Sequence, residues 1–231
     1  VSLEDAQPDE MDIQVTRAVA LLNLTGSLEP LKKVFERMPP TVSNEYFEYS
    51  AYVPWMERDP DAVIAVLNSP IWVNEGSGPE WGVLRLRQLG DAWRLKGDEG
   101  RARAHYEEAA SHLDSVLNGP VESLVLDGTH IAMSLASLGR FDEAVALANQ
   151  IVDKFPLEKD AMQPAWLLNV RALVRGRAGD MDGALEDLEL SLNTPGPDPV
   201  TRWNLHYDPS WDFMRDDPRF VELATPDNLV Q

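Results

Sequence analysis

The chain has 231 residues, of which 44% are hydrophobic, and its 39 acidic and 20 basic side chains give a formal net charge of -19. This composition supports a sizeable core, while so acidic a surface repels phosphate backbones and anionic membranes, so we expect no nucleic-acid partner and no direct membrane insertion of this segment. The absence of cysteine excludes disulfides, thiolate metal sites and cysteine nucleophiles.

The N-terminal part of the chain predicts a degenerate version of a helical-hairpin pattern. Residues 1–10 are acidic, and we expect them to form a frayed terminus. Residues 11–70 have apolar positions at helical spacing, interrupted by a turn at Gly26 and again before Pro60, where proline suits the first turn of a helix. The glycine-containing residues 71–80 predict a loop. The total number of hairpins stays open between three and five.

A recurring turn organises residues 81–198. Gly97, Gly139 and Gly179 each follow an apolar stretch and precede an amphipathic one, and they lie 42 and 40 residues apart (97 to 139, then 139 to 179). Glycine readily takes the left-handed conformation at a helix end, and a following aspartate accepts hydrogen bonds from the next helix. A period of this length predicts stacked helical hairpins, three of them in this region.

The first of these three hairpins has the most specific motif. An L-x-x-L-G-x-x-W segment beginning at Leu86 is followed by A-x-x-x-Y-x-x-A beginning at Ala102. This resembles the tetratricopeptide pattern W-x-x-L-G-x-x-Y…A-x-x-x-F. The resemblance implies an all-α, right-handed superhelix (a solenoid) of antiparallel hairpins with a C-terminal cap. In such a packing Gly90 and Ala102 leave room at the helix crossing, while Trp93 and Tyr106 fill the space between hairpins.

The two later hairpins keep parts of the same pattern. The second places Ala144 at the expected helix crossing and Pro156 where the family ends its second helix. The third departs from the pattern, because Arg171 and Arg175 stand where apolar residues are expected. This departure leaves open either the register of that helix or the burial of that face.

The C-terminal residues 199–231 are similar to a tail that closes repeat arrays in bacterial signalling and regulatory proteins. We expect a short helix to start after Asp217, and we expect Trp211, Phe213 and Phe220 to cover the last hairpin, since the end of an array otherwise meets water.

The same resemblance implies a larger bacterial protein, in which repeats of this kind follow a nucleotide-cyclase, kinase or winged-helix domain. The chain begins at Val1, with neither an initiator methionine nor a basic-then-apolar leader, so we interpret its start as a processed, trimmed or subcloned end. The compartment stays open between bacterial cytoplasm and periplasm.

Enzyme signatures are missing from the sequence. It has no phosphate-binding loop, dinucleotide turn, nucleophile elbow or H-E-x-x-H motif. Adjacent carboxylates such as Glu186-Asp187 are expected at helix starts or on solvated faces, where nothing drives their pKa values apart. His105 and His112 are seven positions apart on one predicted helix, about 10 Å along its axis, which is too far for one metal ion. We therefore predict no catalysis, no cofactor and no metal site.

The tetratricopeptide resemblance implies a concave groove lined by the first helix of each hairpin. Arginines in that groove can hold a carboxylate through two parallel hydrogen bonds, or they can simply solvate the groove and pair with neighbouring acids. We expect Arg87→Ala to cost little stability, and we favour buried packing over ligand contact for Trp166. Helical spacing gives the predicted groove residues Leu84, Arg87, Asp91, Arg94, Leu126, Thr129, Met133, Trp166, Asn169, Leu173 and Arg177.

We therefore predict a non-catalytic scaffold or sensor module that binds a polypeptide with acidic or C-terminal carboxylate groups in its groove. The alternative is a self-assembly module that forms homo-oligomers, and a small-molecule receptor is less favoured. The lysine and asparagine set by which chaperone-binding repeats hold two carboxylates is not matched, which disfavours binding of chaperone tails.

Overall fold

The protein is helical throughout the part of the chain that its computed structural model describes. No strand occurs in that part, which confirms the all-α fold class predicted from the sequence. No helix there has the length and apolar character needed to cross a bilayer. The predicted loop 71–80, apart from Trp72, and Pro156 lie outside the description. The described residues are 8–37, 49–70, 72, 81–155, 164–194 and 200–226.

Consecutive helices pair as hairpins, and the described residues contain five of them: α1–α2, α3–α4, α5–α6, α9–α10 and α11–α12. The first helix begins at Pro8, inside the segment predicted to be frayed. The elements are α1 Pro8–Thr25, α2 Glu29–Phe35, α3 Tyr49–Met56, α4 Pro60–Leu67, α5 Gly82–Leu95, α6 Glu99–Ala110, α7 Leu113–Leu117, α8 Val121–Ser123, a π-helical segment Leu124–Gly128, α9 Thr129–Ser137, α10 Phe141–Lys154, α11 Pro164–Arg177, α12 Met181–Leu192, α13 Arg202–Tyr207, a 3-10 segment Pro209–Met214 and α14 Pro218–Ala224.

The turns inside the last three hairpins have the geometry that the sequence predicts. Gly97, Gly139 and Gly179 have φ values of 85°, 78° and 93°, the left-handed region that glycine enters without steric cost. Asp98 and Asp180 then each accept a 3.0 Å hydrogen bond from a first-turn amide of α6 and α12. These local devices stop one helix and start the next within four residues.

Successive hairpins pack in chain order. The first helix of each of the last two hairpins contacts both helices of the hairpin before it, and α4 packs on α5. Ala102 and Ala144 are fully buried, as expected of residues at helix crossings. A Cβ atom on Gly90 would lie 2.5 Å from the ring of buried Tyr106, so only glycine fits there. Trp93, which was predicted to fill the space between hairpins, is only half-buried. Its ring lies beneath Arg101, with 4.2 Å between the guanidinium carbon and the ring centre.

Arg171 and Arg175, the arginines that break the repeat pattern, meet a buried carboxylate. Arg171 donates two hydrogen bonds of 2.8 and 2.6 Å to Asp187, and Arg175 donates one of 2.9 Å. Asp187 is only 3% exposed, so the expectation of a solvated Glu186-Asp187 pair is wrong for Asp187. The reason is helical spacing, because position 187 follows the inward-facing Ala184 by three residues and shares its face.

The C-terminal end differs in one respect from the expected cap. Asp217 begins α14 by accepting a hydrogen bond from a first-turn amide, and Trp211 and Phe220 are buried, as predicted. Phe213 is 41% exposed although its ring lies over Gly176 of α11, and the neighbouring Met214 is the residue that is fully buried. In the 3-10 segment, with about three residues per turn, the buried positions 211 and 214 fall on one face.

The buried apolar residues form three separate clusters rather than one continuous core. The N-terminal cluster comes from α1, α2 and α3, the middle cluster from α3, α4, α5 and Trp72, and the main cluster from α5 onward to α14. The N-terminal hairpins therefore share little apolar packing with the last hairpin.

Candidate functional site

The C-terminal residues cross from the last hairpin to the N-terminal hairpins. We call residues 202–214 the strap. The ring of Trp203 covers Gly26, where an added Cβ would lie 2.4 Å from it. Asn204 Nδ2 donates a 2.6 Å hydrogen bond to the hydroxyl of Tyr52. The strap thus contacts the turn between α1 and α2 as well as helix α3.

Polar contacts continue along the strap. Trp55 Nε1 donates a 2.8 Å hydrogen bond to Asp208 Oδ1. Arg58 holds both carboxylate oxygens of Asp212 at 2.6 Å. The hydrogen bonds from Arg58 are the main cause of the lowered pKa of Asp212. Both side chains are about two-fifths exposed, at 43% and 42%, so this ion pair lies at the solvent-facing rim.

Arg58 has an unusual backbone for its residue type. Its φ is 59°, and among the described residues it alone combines a side chain larger than glycine with a positive φ. It stands between α3 and the capping residue Asp59, as Gly97 and Gly179 stand before their capping aspartates. A left-handed conformation costs a residue with a Cβ roughly 1–2 kcal/mol. The chain thus bears a conformational cost at the residue that binds the strap.

A cavity of about 470 Å³ lies between the strap and the hairpins. The strap forms one wall, α3 contributes a tryptophan, and the helices of the last three hairpins form the rest. Three aromatic rings and two arginines share the lining. The lining residues are Trp55, Asp91, Arg94, Leu95, Ala136, Ser137, Phe141, Arg177, Pro209, Ser210, Asp212 and Phe213.

Two arginines from different hairpins meet at Ser137 in this cavity. Arg94 Nη2 donates a 2.7 Å hydrogen bond to the Ser137 carbonyl, and Arg177 Nη1 donates one of 2.6 Å to its hydroxyl. No carboxylate of the described residues comes within 4.0 Å of the Arg177 guanidinium. Burial lowers the pKa of Arg177, and Asp91 opposes this from a longer distance. Arg177 is therefore a half-buried cation that forms no ion pair with any carboxylate in the described ranges.

Asp91 is occupied by other partners. It is 8% exposed, accepts a 2.8 Å hydrogen bond from the Tyr106 hydroxyl and pairs with Arg87. Arg87 Nε also donates a 3.2 Å hydrogen bond to Nδ1 of His130, and burial together with Arg87 lowers the pKa of that histidine well below its usual range. The Trp166 ring meets His130 edge-on at 6.0 Å. Arg87 is thus part of a connected structural network behind the cavity.

The predicted groove residues divide into three groups. Asp91, Arg94 and Arg177 come together at the cavity. Arg87 lies behind them, while Trp166 and Asn169 are half-buried and Leu126 is exposed. The remaining four residues differ from the predicted groove lining, because their side chains are buried and contribute to packing: Leu84, Thr129, Met133 and Leu173.

Sequence reasoning missed the other wall of the site. Trp55, Ser137 and the strap residues were not among the predicted groove positions, yet they line the cavity. One signal was available for the junction: Arg58 occupies the turn position that holds glycine in the later hairpins.

No group of three or more histidine or carboxylate side chains with metal-binding geometry occurs in the described ranges. Comparison with known proteins gives no match, either to a protein-family model, to a curated protein or to a solved structure. The proposals below therefore depend on the chain's own geometry and on the resemblance in its sequence.

Proposed function

We propose that the chain is a non-catalytic, tetratricopeptide-like module that captures a polypeptide through a carboxylate group placed in the cavity. The observation that carries this proposal is Arg177, a half-buried guanidinium that lines the cavity beside Arg94 and, among the described residues, has only the Ser137 hydroxyl as a hydrogen-bond partner. The regular packing of successive hairpins supports a right-handed superhelix as the architecture, with the cavity on its concave side.

Burying an unpaired charge costs free energy. A guanidinium withdrawn from water loses hydration that one hydroxyl does not replace, so the site gains stability when an anion completes it. A carboxylate matches the planar donor set of arginine and can accept two parallel hydrogen bonds. Trp55, Phe141 and Phe213 provide apolar walls for the group that bears the carboxylate. The preferred ligand is therefore an acid attached to an apolar body.

The volume of the cavity limits how much of a polypeptide enters it. About 470 Å³ accommodates one large side chain or a chain end rather than an extended segment. In the closed arrangement we expect recognition of a C-terminal residue or of a single acidic side chain, with the rest of the partner on the outer surface.

The test uses matched short peptides with a free C-terminal carboxylate or a C-terminal amide, titrated into the protein by calorimetry. The parent is expected to bind the free acid, and amidation, Arg177→Gln or Arg94→Gln should each weaken binding about tenfold or more, the effect of losing one charge-assisted hydrogen bond. Arg103→Gln is the matched control, because this exposed arginine pairs with Glu107 away from the cavity.

Three outcomes separate the alternatives. Equal binding by the parent and by both cavity variants contradicts the proposal. Binding of a small aromatic acid but of no peptide indicates a small-molecule receptor. A mass that rises with protein concentration, without peptide binding, indicates self-assembly.

A further inference from the structure

We infer that the junction between the strap and the N-terminal hairpins is a releasable seam that closes the cavity. When closed, it restricts the cavity to a side chain or a chain end, and its opening exposes the concave side to an extended polypeptide. The kind of ligand in this inference rests on the proposed function, whereas the opening of the junction is inferred from contacts within the chain.

Polar contacts make up much of the junction. Its contacts from helix α3 and the turn after it are polar: Tyr52 with the strap amide, Trp55 with Asp208, and Arg58 with Asp212. The ion pair is exposed, so its strength falls with ionic strength and it can exchange partners with another acid. These polar contacts open more easily than an apolar interface of the same size would, and the ring of Trp203 over Gly26 adds an apolar contact at the turn between α1 and α2.

The strap and the N-terminal hairpins belong to different apolar clusters. The strap belongs to the main cluster through Leu205, Trp211 and Met214, which are at most 1% exposed. The N-terminal hairpins have their own clusters. Separation at the junction therefore exposes Trp203 and the polar pairs but leaves each cluster intact, because no continuous apolar core spans it.

The α3–α4 turn has an arginine where the later turns have glycine. Arg58 adopts a left-handed backbone where the later hairpin turns use glycine, and in the described residues its guanidinium binds Asp212 alone. Glycine would suit this turn better, so the arginine serves the contact with the strap rather than the turn itself.

Charge also favours an acidic partner. An acidic segment of a partner offers Arg58 the same carboxylate that Asp212 provides. Opening frees the Arg58 guanidinium for such an exchange, while Arg94 and Arg177 remain in the cavity lining. In a chain whose net charge is -19, cations available to a partner favour acidic polypeptides over neutral ones.

The experiment measures the junction directly. The chain has no cysteine, so Ala65→Cys on α4 and Asp216→Cys beyond the strap, both at exposed positions, attach spin labels at two defined sites. Electron-electron resonance then gives the distribution of distances between them. Arg58→Gly and Asp212→Asn are the test variants, and Arg103→Gln is the control. Arg58→Gly is expected to fold, because glycine accepts the backbone at that position.

The parent should show one main short distance. A longer distance should grow about two- to fivefold in either test variant, the range that one exposed ion pair supports, and should also grow with added salt. The double variant should add little to either single variant, since both remove the same contact. Unchanged distributions in the variants, or a parent already dominated by the long distance, would overturn the inference.

The two proposals fail in different ways. If the distances lengthen in the variants but no carboxylate peptide binds any form, the releasable seam is supported and the proposed function is contradicted. If peptides bind through Arg177 while the variants keep the parent's distances, the proposed function is supported and the releasable seam is contradicted.

Discussion

Helix α11 carries arginines in two contrasting environments. Arg171 and Arg175 face α12, where the buried Asp187 accepts three hydrogen bonds from them. Six residues after the first of these, Arg177 faces the cavity, where its hydrogen bond goes to the Ser137 hydroxyl. The first group is a complete ion cluster inside one hairpin, and the second is a cation whose counter-charge the described part of the chain does not supply.

The difference separates arginines that hold the fold from arginines that are available to a ligand. Removing one partner of a buried ion cluster leaves an uncompensated charge, whereas removing an unpaired cation relieves one. The two environments should therefore respond to substitution in opposite directions.

The largest effect is expected at the ion cluster. Asp187→Asn leaves Arg171 and Arg175 without their carboxylate, and we expect the free energy of unfolding to fall by about 3–5 kcal/mol in urea denaturation. The neighbouring Glu186 is exposed, and Glu186→Gln should change stability by about 0.5 kcal/mol or less. Similar small losses in both variants would mean that Asp187 does not stabilise the hairpin.

Arg87 should behave like the ion cluster rather than like Arg177. Arg87→Ala leaves the buried Asp91 with the Tyr106 hydroxyl as its remaining partner, so we expect a loss of about 1–3 kcal/mol by thermal and urea denaturation. This reverses the small cost expected from the sequence. Arg103→Ala, which removes an exposed ion pair, is the control. An equally small loss in Arg87→Ala would show that Arg87 does not stabilise the fold, as first expected of a groove residue.

The network behind Arg87 should make stability depend on pH. In the folded protein burial and Arg87 lower the pKa of His130 well below 6.5, its value in the unfolded chain. Below about pH 6.5 the unfolded state therefore binds a proton that the folded state does not, and stability falls as pH falls, by up to about 1.4 kcal/mol per pH unit. Above that pH the contribution is constant.

The measurement is the free energy of unfolding of the parent and of His130→Gln, which keeps an acceptor for Arg87, between about pH 5 and 7. The variant should lose part of the slope seen in the parent. Parallel curves would show that His130 titrates alike in the folded and unfolded states.

The smallest stability effect is expected at the cavity. Arg177→Met removes an unpaired charge and keeps an apolar side chain of comparable length, so stability should stay within about 0.5 kcal/mol or rise. Binding of a carboxylate peptide should nevertheless be lost. A loss of stability as large as that of Asp187→Asn would show that Arg177 stabilises the fold as Arg171 and Arg175 do.

Sequence patterns predicted the local structure of the hairpins well, because the signals lie within a few residues. Gly97 and Gly179 with their capping aspartates act on adjacent backbone amides, and the small residues Gly90 and Ala102 identify a helix crossing. The burial of Asp187 was not predicted, since its place on the inner face is favourable only beside two arginines of another helix.

The cavity was predicted only in part for a related reason. Spacing along the first helices was enough to select Arg94 and Arg177. It could not show that Leu84 and Leu173 would be covered, because burial depends on which helices pack over a given face.

By itself, the sequence determined the helical class, the hairpin turns and the acidic surface, since periodicity, turn chemistry and charge are properties of short segments or of composition. The contact of the strap with the N-terminal hairpins could be seen only in the tertiary structure. The contact between Trp55 and Asp208 joins residues 153 positions apart. Such a contact leaves no local pattern, because its energy depends on all the intervening hairpins stacking in the order that brings the two ends together.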